Sequence, residues 1–237
     1  MFGNKKKKAE KEYRKGLEKL SENHSLWAKS HFENAVELDP EMAKYWWQLG
    51  ECLLDLERNG GVTMFTERML EEGRADLNKK ISQLPYSYDC FKNVQELDGP
   101  TIAICERLGL VASELEDHLS SIGHYKNAYD LLQKEPQVND EQLSGIAGNI
   151  GVGYGEILHI LAFTNDTEKI LTQLGYYEKD GMIIDGLGEK KIPKKEFLKQ
   201  TADQALFYYK QAYDIFPSSE IAQKNYDDFR EFYEKNW

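Results

Sequence analysis

Glycines crowd together at one place in this sequence, Gly145 to Gly155 (GIAGNIGVGYG), and that density first suggests phosphate chemistry. Clustered backbone N–H groups can converge on an anion, as a phosphate-binding loop requires. The surrounding residues refuse the assignment. No Gly-Lys-Ser/Thr is present, no strand-like run precedes, and the glycines fall within a helical period rather than ahead of a helix. The densest polar cluster is Glu114, Glu116, Asp117 and His118, with His124 near by, where an irregular catalytic pocket could form. At helical spacing these residues mostly share an outward face, so a solvated surface is the expectation. The five histidines include no pair four residues apart with an intervening glutamate, so the zinc-protease motif is missing. A Gly-x-Ser-x-Gly elbow and a catalytic cysteine signature are also missing. Cys52, Cys90 and Cys105 are widely spaced, odd in number and set among apolar residues. They read as reduced core thiols of a cytoplasmic protein, without metal-ligand spacing. No cofactor or metal is expected.

Helical geometry gives the glycine stretch a different meaning. Gly145, Gly148, Val152, Gly155 and His159 recur at steps of three and four and form one stripe. Each interior glycine costs a helix roughly 1 kcal/mol relative to alanine, so the stripe weakens the element that carries it. Two uses of that loss stay open: close crossing by a neighbouring helix, or a trench that accepts a partner's helix or extended peptide, with His159 at its end.

The elements around these residues follow a pattern. In AKSHFENAVELDPEMAKYWWQLGECL, Ala28, Phe32 and Ala35 share one helical face, Pro40 closes it, and Trp46, Leu49, Gly50 and Leu53 line the next helix. Gly16 precedes Gly50 by about 34 residues, the period of the tetratricopeptide repeat, whose pattern this stretch resembles. Ala205, Tyr209, Ala212 and Pro217 repeat the spacing of Ala28, Phe32, Ala35 and Pro40. Ile150-Gly151-x-x-Tyr154 and Tyr125-x-x-Ala128-x3-Leu132 are partial echoes. From Asn59 to Leu97 the pattern fails, with Val62 at the alanine position and Thr66 at the aromatic one.

The resemblance implies an all-α fold: antiparallel helix pairs stacked into a superhelical repeat array of about eleven helices. It places Tyr13, Arg14 and Leu17, then Lys44, Trp47, Gln48 and Glu51, and also the glycine stripe, on the concave side. Trp47 there is either an exposed anchor for a peptide or buried against the following helix. Relatives that grip C-terminal carboxylates use a lysine–asparagine clamp. The matching positions here are Tyr13, Leu17 and Gln48, so that mode is disfavoured.

Composition sets the remaining bounds. Of 237 residues, 41% are hydrophobic, enough for a continuous core. A formal net charge of −11 argues against general affinity for nucleic acid or anionic lipid. Lys5 to Lys8 are a local exception, read as a solvated basic tail over residues 1–8 or the exposed start of a helix. No apolar run is expected to span a membrane, and the N-terminus lacks a signal-peptide core. The repeat domain is expected over residues 9–237, clearest at 9–58 and 194–235. Within it, a long helix is expected from Val62 to Leu84, stopped by Pro85, and a short one over Asp89–Leu97. Another should run from Gly99-Pro100 to about Ser121 and pair with Tyr125–Gln133. Asn165 with Glu168 resembles a capping box heading a helix to about Tyr177. Lys179–Ile192 reads as a small β-hairpin insertion near 180–192, with Asp185-Gly186 near its turn. The expected role is to hold a protein or peptide segment without catalysis. Tyr13, Lys44, Trp47, Gln48, Glu51, Gly148, Val152, Gly155 and His159 are the candidate contacts. A peptide-sensing regulator, or an enzyme subunit with a pocket near His118 and His124, are the alternatives.

Overall fold

The structure, a computed structural model, describes residues 2–59, 82–164 and 166–237, which form two compact units, Met1–Leu115 and Glu116–Trp237. The first unit contains α1 (Phe2–Ser21), α2 (Ser25–Leu38), α3 (Ala43–Arg58), α4 (Leu84–Asp98) and α5 (Ile102–Glu114), each packed on the next. Lys5 to Lys8 lie exposed in the first turns of α1. Ala28, Phe32 and Ala35 are fully buried where α2 meets α1, and Leu49, Gly50 and Leu53 are buried on α3.

Gly16 shows why the spacing works. A Cβ there would lie 2.4 Å from Cε1 of Phe32, so the ring occupies the space that any other residue would fill. Small residues at a crossing let helix axes approach and the ring fill the gap beside them. On α3 the same arrangement recurs with a later partner: a Cβ on Gly50 would meet Cζ of Phe91 at 3.0 Å. Ser87, Phe91 and Val94 of α4 therefore stand where Ala28, Phe32 and Ala35 stand on α2, and Ser87 Oγ donates to the Gly50 carbonyl at 2.9 Å. The motif that fails at Val62 and Thr66 thus resumes further along the chain. The helix expected over Val62–Leu84 lies almost wholly outside the described residues. Pro85 begins a helix rather than stopping one, because in the first turn its missing donor is not needed.

The second unit opens at a helix break. The helix expected to reach Ser121 ends at Glu114; Glu116 takes φ 60°, and Asp117 caps the next helix by accepting from the Ser120 amide at 3.2 Å. α6 (His118–Leu132) packs on α7 (Asp140–Phe163), and α7 packs on α9 (Lys194–Ile215), which carries α10 (Glu220–Asn236). Tyr209 lies over Gly151 as Phe32 lies over Gly16, with Cδ1 3.0 Å from the glycine's would-be Cβ. Ser144 Oγ donates to the Ala212 carbonyl at 2.8 Å across the same interface. On its other side, α7 receives Ile122 of α6 against Gly153.

By length and composition α7 could cross a membrane, contrary to expectation: its best window has mean hydropathy 1.3, with 44% of it buried. Packing between α6 and α9 accounts for that apolarity, since a helix buried on two sides must be apolar on both.

A three-stranded antiparallel sheet separates α7 from α9 in sequence. It follows the short helix α8 (Thr167–Gln173) and consists of β1 (Tyr176–Lys179), β2 (Met182–Asp185) and β3 (Lys191–Pro193), in that order. The insertion near 180–192 is thus a sheet of three strands. Its tight turn is Asp180-Gly181, both at positive φ (51° and 73°), with Lys179 opposite Met182. Two left-handed residues match the twist of a two-residue hairpin. Asp185 instead organises the second loop, accepting from the amides of Glu189 (2.8 Å) and Lys190 (3.1 Å). β1 begins at Tyr176, so α8 stops short of Tyr177; Gly175 turns the chain at φ 77°. Asn165 lies outside the described residues. Among the described residues the fold is all-α, built of tetratricopeptide-like helix pairs with ten helices and one small sheet.

Two measurements follow. Gly16→Ala should destabilise the protein by about 1–3 kcal/mol, because the Phe32 ring has nowhere to move. Gly145→Ala meets nothing within 4 Å and should stabilise it by up to roughly 1 kcal/mol. Urea midpoints moving together would contradict this packing. Burial pushes the Cys52 and Cys90 thiols up to about 12 and also raises Cys105. A thiol-specific disulfide reagent near neutral pH should therefore label none of them until denaturant is added; rapid native labelling would refute their burial.

Candidate functional site

The candidate residues divide between the two units. In the first, Glu10 gathers the polar ends. Its carboxylate accepts from Lys44 Nζ (2.8 Å), Tyr45 Oη (3.1 Å) and Arg14 Nε (3.2 Å), and the Lys44 bond chiefly holds it below the usual carboxylate range. Lys44 Nζ also lies 4.9 Å from the centre of the Tyr13 ring, which packs on Phe32 and Tyr45. Trp47 is half-buried, edge-on to Phe91 at 5.4 Å. Burial against the following helix is the arrangement it adopts. Glu51 accepts from Arg107 Nε at 2.6 Å, tying α3 to α5, and Gln48 is half-buried. An open hollow of about 590 Å³ beside α1 carries six cations, Lys6, Lys7, Lys11, Arg14, Lys15 and Lys44, together with Glu10, Glu18 and Asp39. Arg14 and Lys44 are neutralised there by Glu10, and Lys15 by Glu12.

In the second unit the stripe faces a groove between α7 and α10, floored by α9. Two hollows, of about 290 and 270 Å³, follow one another along α7 and share Val152 and Tyr209. Gly145 and Gly148 line the first; Gly155 and His159 line the second. The glycines here do not serve the helix crossing. Nothing lies within 4 Å of a Cβ on Gly145, and only Ala212 Cβ, at 3.9 Å, near one on Gly148. Gly155 is a partial exception, with Tyr209 Oη at 3.5 Å and Phe229 Cε2 at 3.9 Å. Gly151 and Gly153, outside the stripe, carry the tight crossings instead. His159 is exposed with its ring against Phe163 at 5.6 Å.

The floor and far wall of this lining come from α9 and α10, which no spacing along α7 can reveal. Tyr209 forms the floor, Phe229 and Phe232 the far wall, and Ile221 (74% exposed) and Phe163 (65%) stand at opposite ends. The helical spacing of Tyr226, Phe229 and Phe232 marks an amphipathic α10, but spacing cannot say which helix that face meets. Burial pushes the Tyr209 phenol up to about 12, with the charge of Glu156 contributing second.

The polar cluster around residue 118 spans a helix break, with Glu114 and Glu116 exposed to solvent as expected. Glu114 bonds Arg58, Asp117 is a cap, and His118 is buried at the start of α6. Among the described residues no group of three or more His, Cys, Asp or Glu side chains could hold a metal ion.

No family model matches this chain, and no curated protein matches it. Solved structures do resemble it at low identity. One is MamA protein (11% identity, 96% of this chain and 93% of that one, TM-score 0.48). Another is YrrB, described as a TPR protein with an unusual peptide-binding site (14%, 90% and 89%, TM-score 0.40). A third is a thermophilic TPR protein of Thermus thermophilus (14%, 94% and 99%, TM-score 0.38). At these scores they stand as likenesses, and the helix-pair fold rests on the chain's own glycine–aromatic crossings.

Proposed function

We propose that this chain is a non-enzymatic binding scaffold whose second unit holds a segment of a partner protein in the groove between α7 and α10. The observation that carries the reading is the bare stripe: Gly145 and Gly148 lower the α7 wall where a Cβ would meet nothing at Gly145 and only Ala212 Cβ, at 3.9 Å, at Gly148. Glycines that cost helix stability without serving a crossing need another use, and close approach by a second chain is one. Exposed Val152, Phe163 and Ile221 extend the apolar lining along the same groove. A partner's apolar side chains would bury that surface at about 25 cal/mol per Å². The first-unit residues have weaker support as contacts, because the polar ends of Lys44 and Glu51 already have partners within the chain.

A photo-crosslinker at Val152 tests this. It should join the chain to a discrete partner, and Gly148→Phe or Val152→Glu should reduce capture at least about tenfold, which is roughly 1.4 kcal/mol. Melting curves close to the parent's would show that both variants fold. Capture that survives both substitutions in folded protein would place the partner elsewhere.

A further inference from the structure

We infer, building on the groove reading above, that the occupant is an amphipathic helix with an apolar stripe and lysine or arginine flanks. The charge of the groove carries this. Its two hollows are lined by apolar and neutral polar residues, His159, and two carboxylates, Glu141 and Glu156; no lysine or arginine takes part. Neither carboxylate has an ion-pair partner among the described residues. Elsewhere Glu10, Glu51 and Asp203 are each paired with a cation of this chain. Glu156 and Tyr209 line the same hollow. An apolar trench with unpaired negative groups on its lining complements an apolar face bordered by positive ones.

The shape of the occupant follows from what the lining lacks. An extended peptide needs a row of donors and acceptors for its backbone, as a sheet edge provides. Here Ser144 Oγ is already spent on the Ala212 carbonyl and Ser219 Oγ on the cap of α10, leaving Asn149 and Asn225 as the side-chain amides in the lining. A helix satisfies its backbone internally and asks only for an apolar trough. From Gly145 to Phe163 the groove runs about 27 Å at 1.5 Å per residue, the length of a helix of roughly 18 residues. The hollows adjoin at Val152, and the middles of their α7 linings lie about three turns apart, roughly 16 Å. Two bulky anchors about eleven residues apart on the bound helix match that separation.

Three fluorescent peptides of about 18 residues test the inference, each with the same leucine stripe and flanked by Lys/Arg, Gln or Glu. Binding to the full chain is read by polarisation near 50 mM and near 300 mM salt, a range over which screening shortens by more than half. The cationic peptide should bind at least about tenfold tighter than the Glu-flanked one at low salt. The Glu141→Gln, Glu156→Gln double variant should remove most of that preference without weakening the Gln-flanked peptide. Gly148→Phe and Val152→Glu, both checked by melting, should weaken all three. If the three peptides bind alike, the charge inference fails and the groove reading survives. If the preference persists in the double variant, it comes from the net charge of the whole chain, and the inference fails. If nothing binds, or binding ignores both blocking variants, the groove reading fails with it. Self-association dispersed by Gly148→Phe would identify a second copy as the occupant and overturn the cationic partner.

Discussion

A glycine backbone lying against an aromatic ring recurs at close helix crossings in both units. Phe32 over Gly16, Phe91 over Gly50 and Tyr209 over Gly151 are the same contact made three times. In each, ring atoms occupy or crowd the space of a missing Cβ, which brings the two helix axes together and shuts water out of the crossing. The cost is roughly 1 kcal/mol of helix propensity per glycine, and burial of a whole aromatic ring exceeds it. Hydroxyls reinforce two of the three crossings, Ser87 onto the Gly50 carbonyl and Ser144 onto that of Ala212. Neither leaves a buried polar group unpaired.

This contact tolerates long excursions between its two partners. The chain passes from α1 to α2 through a short turn, yet residues 164–193, with α8 and a three-stranded sheet, intervene between α7 and α9. Loop-closure entropy rises only slowly with length, so an insertion leaves the crossing intact provided its own ends lie close. The sheet meets that condition. The Lys194 amide donates to the Gly181 carbonyl at 3.0 Å, and Tyr176 packs edge-on to Phe197 at 5.3 Å, holding the insertion against the start of α9.

The groove arises where the pairing runs out of partners. α7 has three uses for its small residues. Gly153 admits Ile122 of α6, Gly151 admits Tyr209 of α9, and Gly145 and Gly148 admit no side chain of comparable size. α10 closes over α9 and meets α7 near Gly155, where Phe229 touches down, and through Ala222, which shares a buried cluster with Ala147 and Ala212. What remains is a trough floored by Tyr209 and Ala212 of α9 and by Phe216 just past its end.

The helical period, the first helix pair and the stripe from Gly145 to His159 could be read from the residues themselves. Spacing fixes which side chains share a face, and 34-residue recurrence fixes which helices correspond. The concentration of breakers between Lys179 and Ile192 likewise announced a β insertion. The tertiary structure alone decided which ring fills each glycine. Phe91 rather than Thr66 answers Gly50, because an insertion displaces the motif without altering the contact. It also decided that Trp47 lies against Phe91, that Lys44 spends its charge on Glu10, and that of two identical-looking sets of glycines one is packed and the other bare. Periodicity reports direction from a helix axis, whereas burial depends on what another part of the chain places there, and that is settled only when the whole chain has packed.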